Sequence, residues 1–143
     1  MTAEQNRILV RGYYEEFWGR ADVSRLETFC APTFHFRLGR IADLPSLPAF
    51  MQFISMLFAS FPDFTCSVLE PMLAEGDRVV TRYAWAGTHA AASAAIFNRF
   101  PPTGKKVRVT GMTIDRVADG RIVEEWCEED LMGLAQQLGV VPR

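Results

Sequence analysis

The sequence predicts an α+β domain in which N-terminal helices lie against a strongly curved antiparallel or mixed sheet. Residues 3–18 and 47–61 place apolar side chains at helical spacing, and they precede most of the segments that alternate with period two. Two long hairpins follow, with turns at residues 75–77 and at Asp119-Gly120. Helices followed by antiparallel hairpins are typical of α+β domains, because the helices cover one face of the sheet.

The composition indicates one domain spanning residues 1–143, because 49% of the 143 residues are hydrophobic and can form a single core. The formal charge of −2 is made of mixed signs, so we expect neither nucleic acid nor a membrane as a partner. The longest uncharged run, residues 44–62, holds three prolines and is too polar to cross a bilayer. The N-terminus lacks the order of a secretory signal, so we expect a cytoplasmic location.

The first predicted helix covers residues 3–18 and starts with a capping box of Thr2 and Gln5. Its apolar stripe comprises Ile8, Leu9, Tyr13, Phe17 and Trp18. Asp22 can cap a second, short helix over residues 23–30 that Pro32 ends. Residues 33–38 then alternate as a first strand, with His35 and Arg37 on the polar side.

A long amphipathic helix begins after Ser46, carries Pro48 in its first turn and ends at Pro62. The alanine-rich stretch at residues 90–100 is interpreted as a loop or a short helical turn that caps the sheet. After the last hairpin, Asp130 can cap a helix over residues 131–138, which Gly139 ends. A curved sheet folded round a long helix leaves a cone, and its mouth suits a small hydrophobic molecule.

Six segments occur in a recognisable order, namely FPDF at 61–64, EGDRVVTRY at 75–83, GTH at 87–89, PPTGK at 101–105, DGRIVEEW at 119–126 and GLAQQLG at 133–139. This ordered set resembles the SnoaL-like polyketide cyclases of the NTF2-like and ketosteroid isomerase-like superfamily. The resemblance covers nearly the whole chain. It implies a conical half-barrel, a cofactor-free pocket and a homodimer, and we expect the two sheets to meet through their open faces.

In the cyclases, the resemblance implies ring closure of a polyketide ester by an acid/base aspartate that follows the tryptophan of the last strand, assisted by a histidine on the neighbouring strand. Here Cys127 follows Trp126, and Thr113 aligns with the histidine. A thiol is a poor base at neutral pH, and threonine cannot shuttle a proton as imidazole does. The sequence therefore departs from the family pattern at both positions.

The last strand offers substitute carboxylates, because Glu125 and Glu129 lie two positions either side of Cys127 and share its face. We predict Glu125 as the base, with Asp130 at the end of the strand as a second catalytic candidate. Cys127 and Glu129 are predicted to bind the ligand. The alternative is that residues 124–130 form a solvated rim in which Asp130 only caps the following helix.

Other candidates have a functional and a structural interpretation. His35 and His89 could act as base or oxyanion donor, although a lone histidine is more often structural. The predicted ligand-binding residues on other elements are Arg82, Trp85, Thr113 and Asp115, together with Tyr14, which resembles a pocket tyrosine of the family. Arg82 could instead pair with a glutamate, Tyr13 is interpreted as a core residue, and Arg116 is expected to pair with Glu124 across the hairpin.

The spacing of the cysteines and histidines argues against a C-x-x-C redox motif and a metal site. Cys30, Cys66 and Cys127 form no C-x-x-C motif and suit a reduced compartment, so we interpret them as core residues. Two isolated histidines without carboxylates at ligand spacing argue against a metal site.

Two functions follow. The first is a cofactor-free enzyme that cyclises, isomerises or dehydrates a hydrophobic carbonyl compound by acid/base chemistry. The second is a non-catalytic ligand-binding or assembly module, suggested by Thr113 and Cys127. A carboxylate that reaches the cavity within hydrogen-bonding distance of a tyrosine or imidazole would favour the enzyme.

Overall fold

The computed structural model describes residues 1–92 and 101–141. Helix α1 (Ala3–Gly12) continues into a π-helical segment over Tyr13–Trp18, and a 3₁₀ turn over Val23–Arg25 leads into α2 (Leu26–Phe29). The two remaining helices are α3 (Leu47–Ser60) and α4 (Leu131–Leu138). The strands are β1 (Cys30–Leu38), β2 (Ala42–Leu44), β3 (Thr65–Val68), β4 (Leu73–Glu75), β5 (Arg78–Thr88), β6 (Lys106–Ala118) and β7 (Arg121–Glu129).

The described strands form one curved, unclosed mixed sheet in the order β2-β1-β7-β6-β5-β3, with β4 also pairing to β5. Strands β1 and β7 run parallel, and the other neighbours run antiparallel. The first helix and α3 pack on the inner face, where Phe17 and Phe36 both contact Phe50. This arrangement confirms the predicted α+β class.

The turns and helix caps agree with the sequence prediction. Thr2 and Gln5 form the capping box, Ser46 Oγ accepts from the Ala49 N–H, and Asp130 Oδ1 accepts from the Gly133 N–H. The last hairpin turns at Asp119-Gly120 with both residues at positive φ. A short polar side chain tolerates that backbone region, and glycine adopts it freely.

The structure differs from the sequence analysis at three points. Strand β2 was not predicted, because its three residues are too few to show an alternating pattern. The first strand begins at Cys30 rather than residue 33, and Pro32 lies within it where the pairing with β7 is irregular. Ile8 is 62% exposed, whereas Asn6 is buried and donates from Nδ2 to the Gly76 carbonyl.

The predicted cap over residues 90–100 lies, from residue 93 onward, outside the described residues. None of the described helices is long and apolar enough to cross a membrane.

Candidate functional site

Cross-strand pairing sets the polar residues of the site in three rows on the inner face of the sheet. Asp115 lies opposite Glu125, Thr113 opposite Cys127, and Gly111 opposite Glu129. Residues two apart on a strand share a face, so the three rows follow each other along the same side. The predicted parity of β6 and β7 is therefore confirmed, and the solvated-rim interpretation does not hold for Glu125, which is 1% exposed.

These rows form one wall of a narrow, mostly apolar cavity. About 430 Å³ lies between the lining side chains when open solvent at the mouth is included, and the centre of a water molecule can reach about 20 Å³ of it. The lining residues are Tyr14, Trp18, Phe36, Leu38, Phe53, Leu57, Phe64, Cys66, Tyr83, Trp85, Thr113, Glu125, Cys127 and Glu129. A ligand larger than a few atoms needs these side chains to move apart.

Glu125 provides an acid group in this apolar wall. The Tyr13 hydroxyl donates a hydrogen bond to Glu125 Oε1 at 2.9 Å. Burial raises the pKa of Glu125 to about 7, against the lowering effect of hydrogen bonds from Asp115 and Tyr13. Near neutral pH this carboxyl group can therefore both accept and release a proton.

A chain of hydrogen bonds runs from Tyr14 in the π-helical segment to Asp115, which is a second buried acid. Tyr14 Oη lies 2.6 Å from Thr113 Oγ1, and the Thr113 hydroxyl donates a hydrogen bond to Asp115 Oδ2, with 3.4 Å between the two oxygens. Because threonine has one hydroxyl hydrogen, Tyr14 must donate to Thr113. Burial and the neighbouring Glu125 raise the pKa of Asp115 well above its ordinary value.

Glu129 occupies the more exposed end of the cavity. Its Oε1 accepts hydrogen bonds from Tyr83 Oη at 2.5 Å and from Trp85 Nε1 at 3.1 Å. Burial raises the pKa of Glu129, and these two donors oppose that effect. The Cys127 thiol, 3.1 Å from Tyr83 Oη, then donates to the tyrosine oxygen.

Cys127 is a thiol rather than a nucleophile in this environment. Burial is the main cause that raises its pKa well above the ordinary value, and the carboxyl groups of Glu129 and Glu125 add to it. A thiol becomes reactive when nearby positive charge lowers its pKa, which is the opposite situation.

Two local features position these side chains. The π-helical segment has a wider turn than an α-helix, and within it the consecutive residues Tyr13 and Tyr14 are both buried against the inner face of the sheet. Gly111 leaves room for the Tyr83 ring, because a Cβ at that position would lie 2.5 Å from Tyr83 Oη. Glycine is therefore required where the tyrosine crosses β6.

Four predicted residues lie outside this cavity. His35 bonds Asp43 on the other face of β1, and Arg82 is exposed and pairs with Glu70 at 2.9 Å. His89 is buried beside Phe61 and accepts a hydrogen bond from the Thr103 N–H. Asp130 is exposed at the start of α4.

The other predicted contacts have clear outcomes. Tyr14, Trp85, Thr113, Cys127 and Glu129 line the cavity with Glu125, and Asp115 lies behind them, fully buried. Arg116 pairs with Glu124, as expected. Sequence reasoning missed Trp18, Tyr83, Gly111 and the bond from Tyr13. Only the alternation of β5, which gives Tyr83 the face of Trp85, could have indicated one of them.

Comparison with known proteins identifies close structural likeness. A sequence profile of the SnoaL-like polyketide cyclases matches residues 8–138. Wild-type IdmH from Streptomyces antibioticus, a candidate polyketide cyclase, is 31% identical with a TM-score of 0.76, and the match covers 94% of this chain and 99% of IdmH. No protein in a curated set matches this chain.

Two further solved structures support the fold alone, because their identity to this chain is low. A candidate SnoaL-like polyketide cyclase from Jannaschia sp. CCS1 is 24% identical with a TM-score of 0.84, over 98% of this chain and 95% of that one. AclR from Streptomyces galilaeus, a candidate hydroxylase, is 23% identical with a TM-score of 0.82, over 99% of this chain and 100% of AclR.

Proposed function

The chain belongs to the SnoaL-like polyketide cyclase family, and from that premise we propose that it is a cofactor-free acid/base enzyme acting on a hydrophobic carbonyl compound. The reaction is a cyclisation, isomerisation or dehydration that starts with removal of a proton next to a carbonyl group. The fold alone does not select among these reactions, because one superfold serves many chemistries.

The observation that carries the proposal is the Glu125 carboxyl in an aromatic cavity, held by Tyr13 at 2.9 Å. A base works best when its pKa lies near the working pH, and burial brings the pKa of Glu125 to about 7. A carboxylate that reaches the cavity beside a tyrosine is the feature expected of the enzyme rather than of the binding module.

In the proposed first step, ionised Glu125 takes a proton from the carbon next to the substrate carbonyl. The electrons of the broken C–H bond form an enolate, and its oxygen needs a hydrogen-bond donor. Trp18 lines the cavity, and its buried indole N–H has no acceptor among the described residues. We assign Trp18 as that donor.

The second step depends on the substrate. In a cyclisation, the enolate carbon attacks a second carbonyl carbon of the same molecule, and the resulting alkoxide takes the proton back from Glu125. In an isomerisation, Glu125 returns the proton to a different carbon. In a dehydration, the enolate expels a hydroxyl group from the β-carbon, and this group takes the proton from Glu125 and leaves as water. Each sequence leaves Glu125 ionised for the next turnover, so no other reactant is required.

This proposal moves the base by two residues from the position that the family pattern implies. Positions 125 and 127 share a face of β7, so both project towards the cavity. Cys127 then serves as part of the wall. The described lining residues include no lysine, arginine or histidine, so a neutral ketone or ester fits the cavity better than a free carboxylate.

The test uses exchange of the acidic C–H hydrogens of a hydrophobic β-keto ester in deuterated water, followed by NMR. Glu125→Gln is expected to lower the enzyme-catalysed exchange rate by about 100-fold or more. Glu128→Gln is the matched control, because Glu128 is exposed on the other face of β7. Asp130→Asn should also retain the rate, since Asp130 caps α4.

Full exchange activity in Glu125→Gln would reject the assignment of the base. Binding of the keto ester without faster exchange in the unmodified protein would instead favour the ligand-binding module.

A further inference from the structure

Asp115 and Glu125 form a pair of buried acids that has no counter-charge among the described residues. They are direct cross-strand partners, and their side chains are 0% and 1% exposed. The ionisable groups that act on them are Tyr13 and Tyr14 of the π-helical segment, Cys30 of β1, Cys66 of β3, and Cys127 and Glu129 of β7. None of these described groups is a cation.

Two carboxylates in such a place cannot both be ionised, because burial and mutual repulsion each oppose the second charge. A single proton between them removes the repulsion and forms a strong hydrogen bond. Asp115 Oδ1 is buried and has no donor among the described residues, and the Glu125 carboxyl is close enough to bond Asp115 when one of the two is protonated.

We propose that Asp115 and Glu125 share one proton, and that Asp115 is the positioning residue that holds it while Glu125 reacts in the cavity. The catalytic meaning of this pair rests on the proposed function. The shared proton itself can be measured without any substrate.

The two acids are not equivalent, and their surroundings decide which one keeps the proton. Glu125 lines the cavity and receives the Tyr13 hydrogen bond at 2.9 Å, which stabilises its ionised form. Asp115 lies behind the cavity wall, and its nearest donor is the Thr113 hydroxyl at 3.4 Å. The proton therefore stays on Asp115, which donates to ionised Glu125.

This assignment also gives Thr113 a role at the position where the resemblance implies a histidine. Tyr14 donates to Thr113, and Thr113 donates to Asp115, so the chain of hydroxyls fixes the orientation of the Asp115 carboxyl. The protonated oxygen of Asp115 is thereby directed at Glu125. Replacement of Asp115 by an apolar residue removes the donor that keeps Glu125 ionisable near neutral pH.

The experiment is a ¹³C NMR titration of the aspartate and glutamate carboxyl carbons in the full-length protein. In the unmodified protein, Asp115 is expected to remain protonated at neutral pH while Glu125 titrates near 7. Asp115→Ala should move the Glu125 midpoint up by about one pH unit or more, and Asp115→Asn, which keeps a donor, by much less. Glu128→Gln is the control and should change neither midpoint.

The reciprocal variant tests the sharing directly. Glu125→Gln removes the neighbouring charge, so the Asp115 midpoint should fall relative to the unmodified protein. Asp115 already ionised at neutral pH in the unmodified protein, or an unchanged Asp115 midpoint in Glu125→Gln, would overturn the proposal. These two measurements decide the question even if Asp115→Ala does not fold.

Failure of the shared proton and failure of the proposed function give different results. If the titration shows the shared proton but Glu125→Gln keeps the exchange activity, the pair exists and the enzyme proposal is wrong. If Glu125→Gln loses the exchange activity while Asp115 is ionised in the unmodified protein, Glu125 is the base and the shared proton does not exist. With both correct, the acidic limb of the exchange rate in Asp115→Ala moves to higher pH together with the Glu125 midpoint.

Discussion

Burial raises the pKa of Glu125 towards neutral pH, and ionisation of this buried carboxyl group destabilises the folded state. In the unfolded chain a glutamate loses its proton near 4.5, whereas in the folded protein the pKa of Glu125 is about 7. Between these values the folded state binds more protons than the unfolded state. Raising the pH across this window therefore favours unfolding.

We predict that the free energy of unfolding falls by on the order of 3 kcal/mol from about pH 5 to about pH 8 because of Glu125. Burial of Asp115 and Glu129 raises their pKa values and acts in the same direction. The lowered pKa values of Asp63 and Glu124 act only at more acidic pH, whereas the pKa of His89, which burial lowers, opposes the fall within this window. Urea denaturation at a series of pH values measures the change.

Glu125→Gln is the informative variant for this prediction, because it keeps the shape of the side chain and cannot ionise. Its stability should depend less on pH across the same window, and Glu128→Gln should behave like the unmodified protein. A Glu125→Gln profile as steep as that of the unmodified protein would contradict the assignment.

At the residue scale, strand parity was the part that the sequence could predict. Alternation alone places Asp115, Thr113, Glu125, Cys127 and Glu129 on one face, and the structure agrees. The hydrogen-bond partners of these residues on the π-helical segment and β5 could not be predicted. The pattern within a strand does not show which distant side chains come within hydrogen-bonding distance. Tyr13 was for that reason interpreted as a core residue.

Gly111 of β6 leaves the space that the Tyr83 ring of β5 occupies. Tyr83 lies opposite Gly111 in the register, and its ring crosses the glycine to reach Glu129. A Cβ at position 111 would lie 2.5 Å from Tyr83 Oη and 2.9 Å from the Glu128 carbonyl oxygen. Strand β6 therefore cannot carry a side chain at this row without displacing the tyrosine.

We predict that Gly111→Ala lowers the free energy of unfolding by about 1–3 kcal/mol, as expected for overpacking in a buried site. Chemical denaturation measures the loss. The cost should be smaller when Tyr83 is already replaced by leucine, because the clashing ring is then absent. Equal costs in the two backgrounds would show that Tyr83 is not the cause.

At the element scale, helix caps and turn glycines could be read from the sequence, because they act through neighbours a few residues away. Ser46, Asp130 and Gly139 are examples that the structure confirms. Strand β2 could not be predicted because its three residues are too few to show an alternating pattern. The π-helical segment could not be predicted because it packs against distant residues, Thr113 and Glu125. The exposure of Ile8 has the same origin, because contact with the Gly76 turn places Asn6 inside instead.

At the scale of the molecule, the order of helices and hairpins predicted the fold class, and the antiparallel pairings of β4 with β5 and of β6 with β7 follow from short turns. The parallel contact of β1 with β7 joins segments almost ninety residues apart, for example His35 with Glu124. Such a pairing leaves no local pattern. The resemblance to a known family, rather than periodicity, carried the prediction of an unclosed half-barrel.

The outer face of β5, β6 and β7 has an exposed apolar centre among charged side chains, which include Arg78 and Glu128. We define it by Val80, Met112, Ile114 and Trp126, of which Met112 is 49% and Ile114 40% exposed. Ile114 lies directly opposite both Val80 and Trp126 in the register, so it is at the centre of the face. Contiguous apolar surface of this kind marks an interaction site.

We therefore propose that two copies of the chain associate through this outer face, and we predict twice the mass of one chain in light scattering. Ile114→Glu places a charge at the centre of the face and should give a monomer, because an unpaired buried charge is costly. Ile8→Glu is the matched control, since Ile8 is the same residue type and is 62% exposed, but lies on α1. A monomeric mass for the unmodified protein would exclude the dimer. A dimer that dissociates in Ile8→Glu but not in Ile114→Glu would place the interface on another surface.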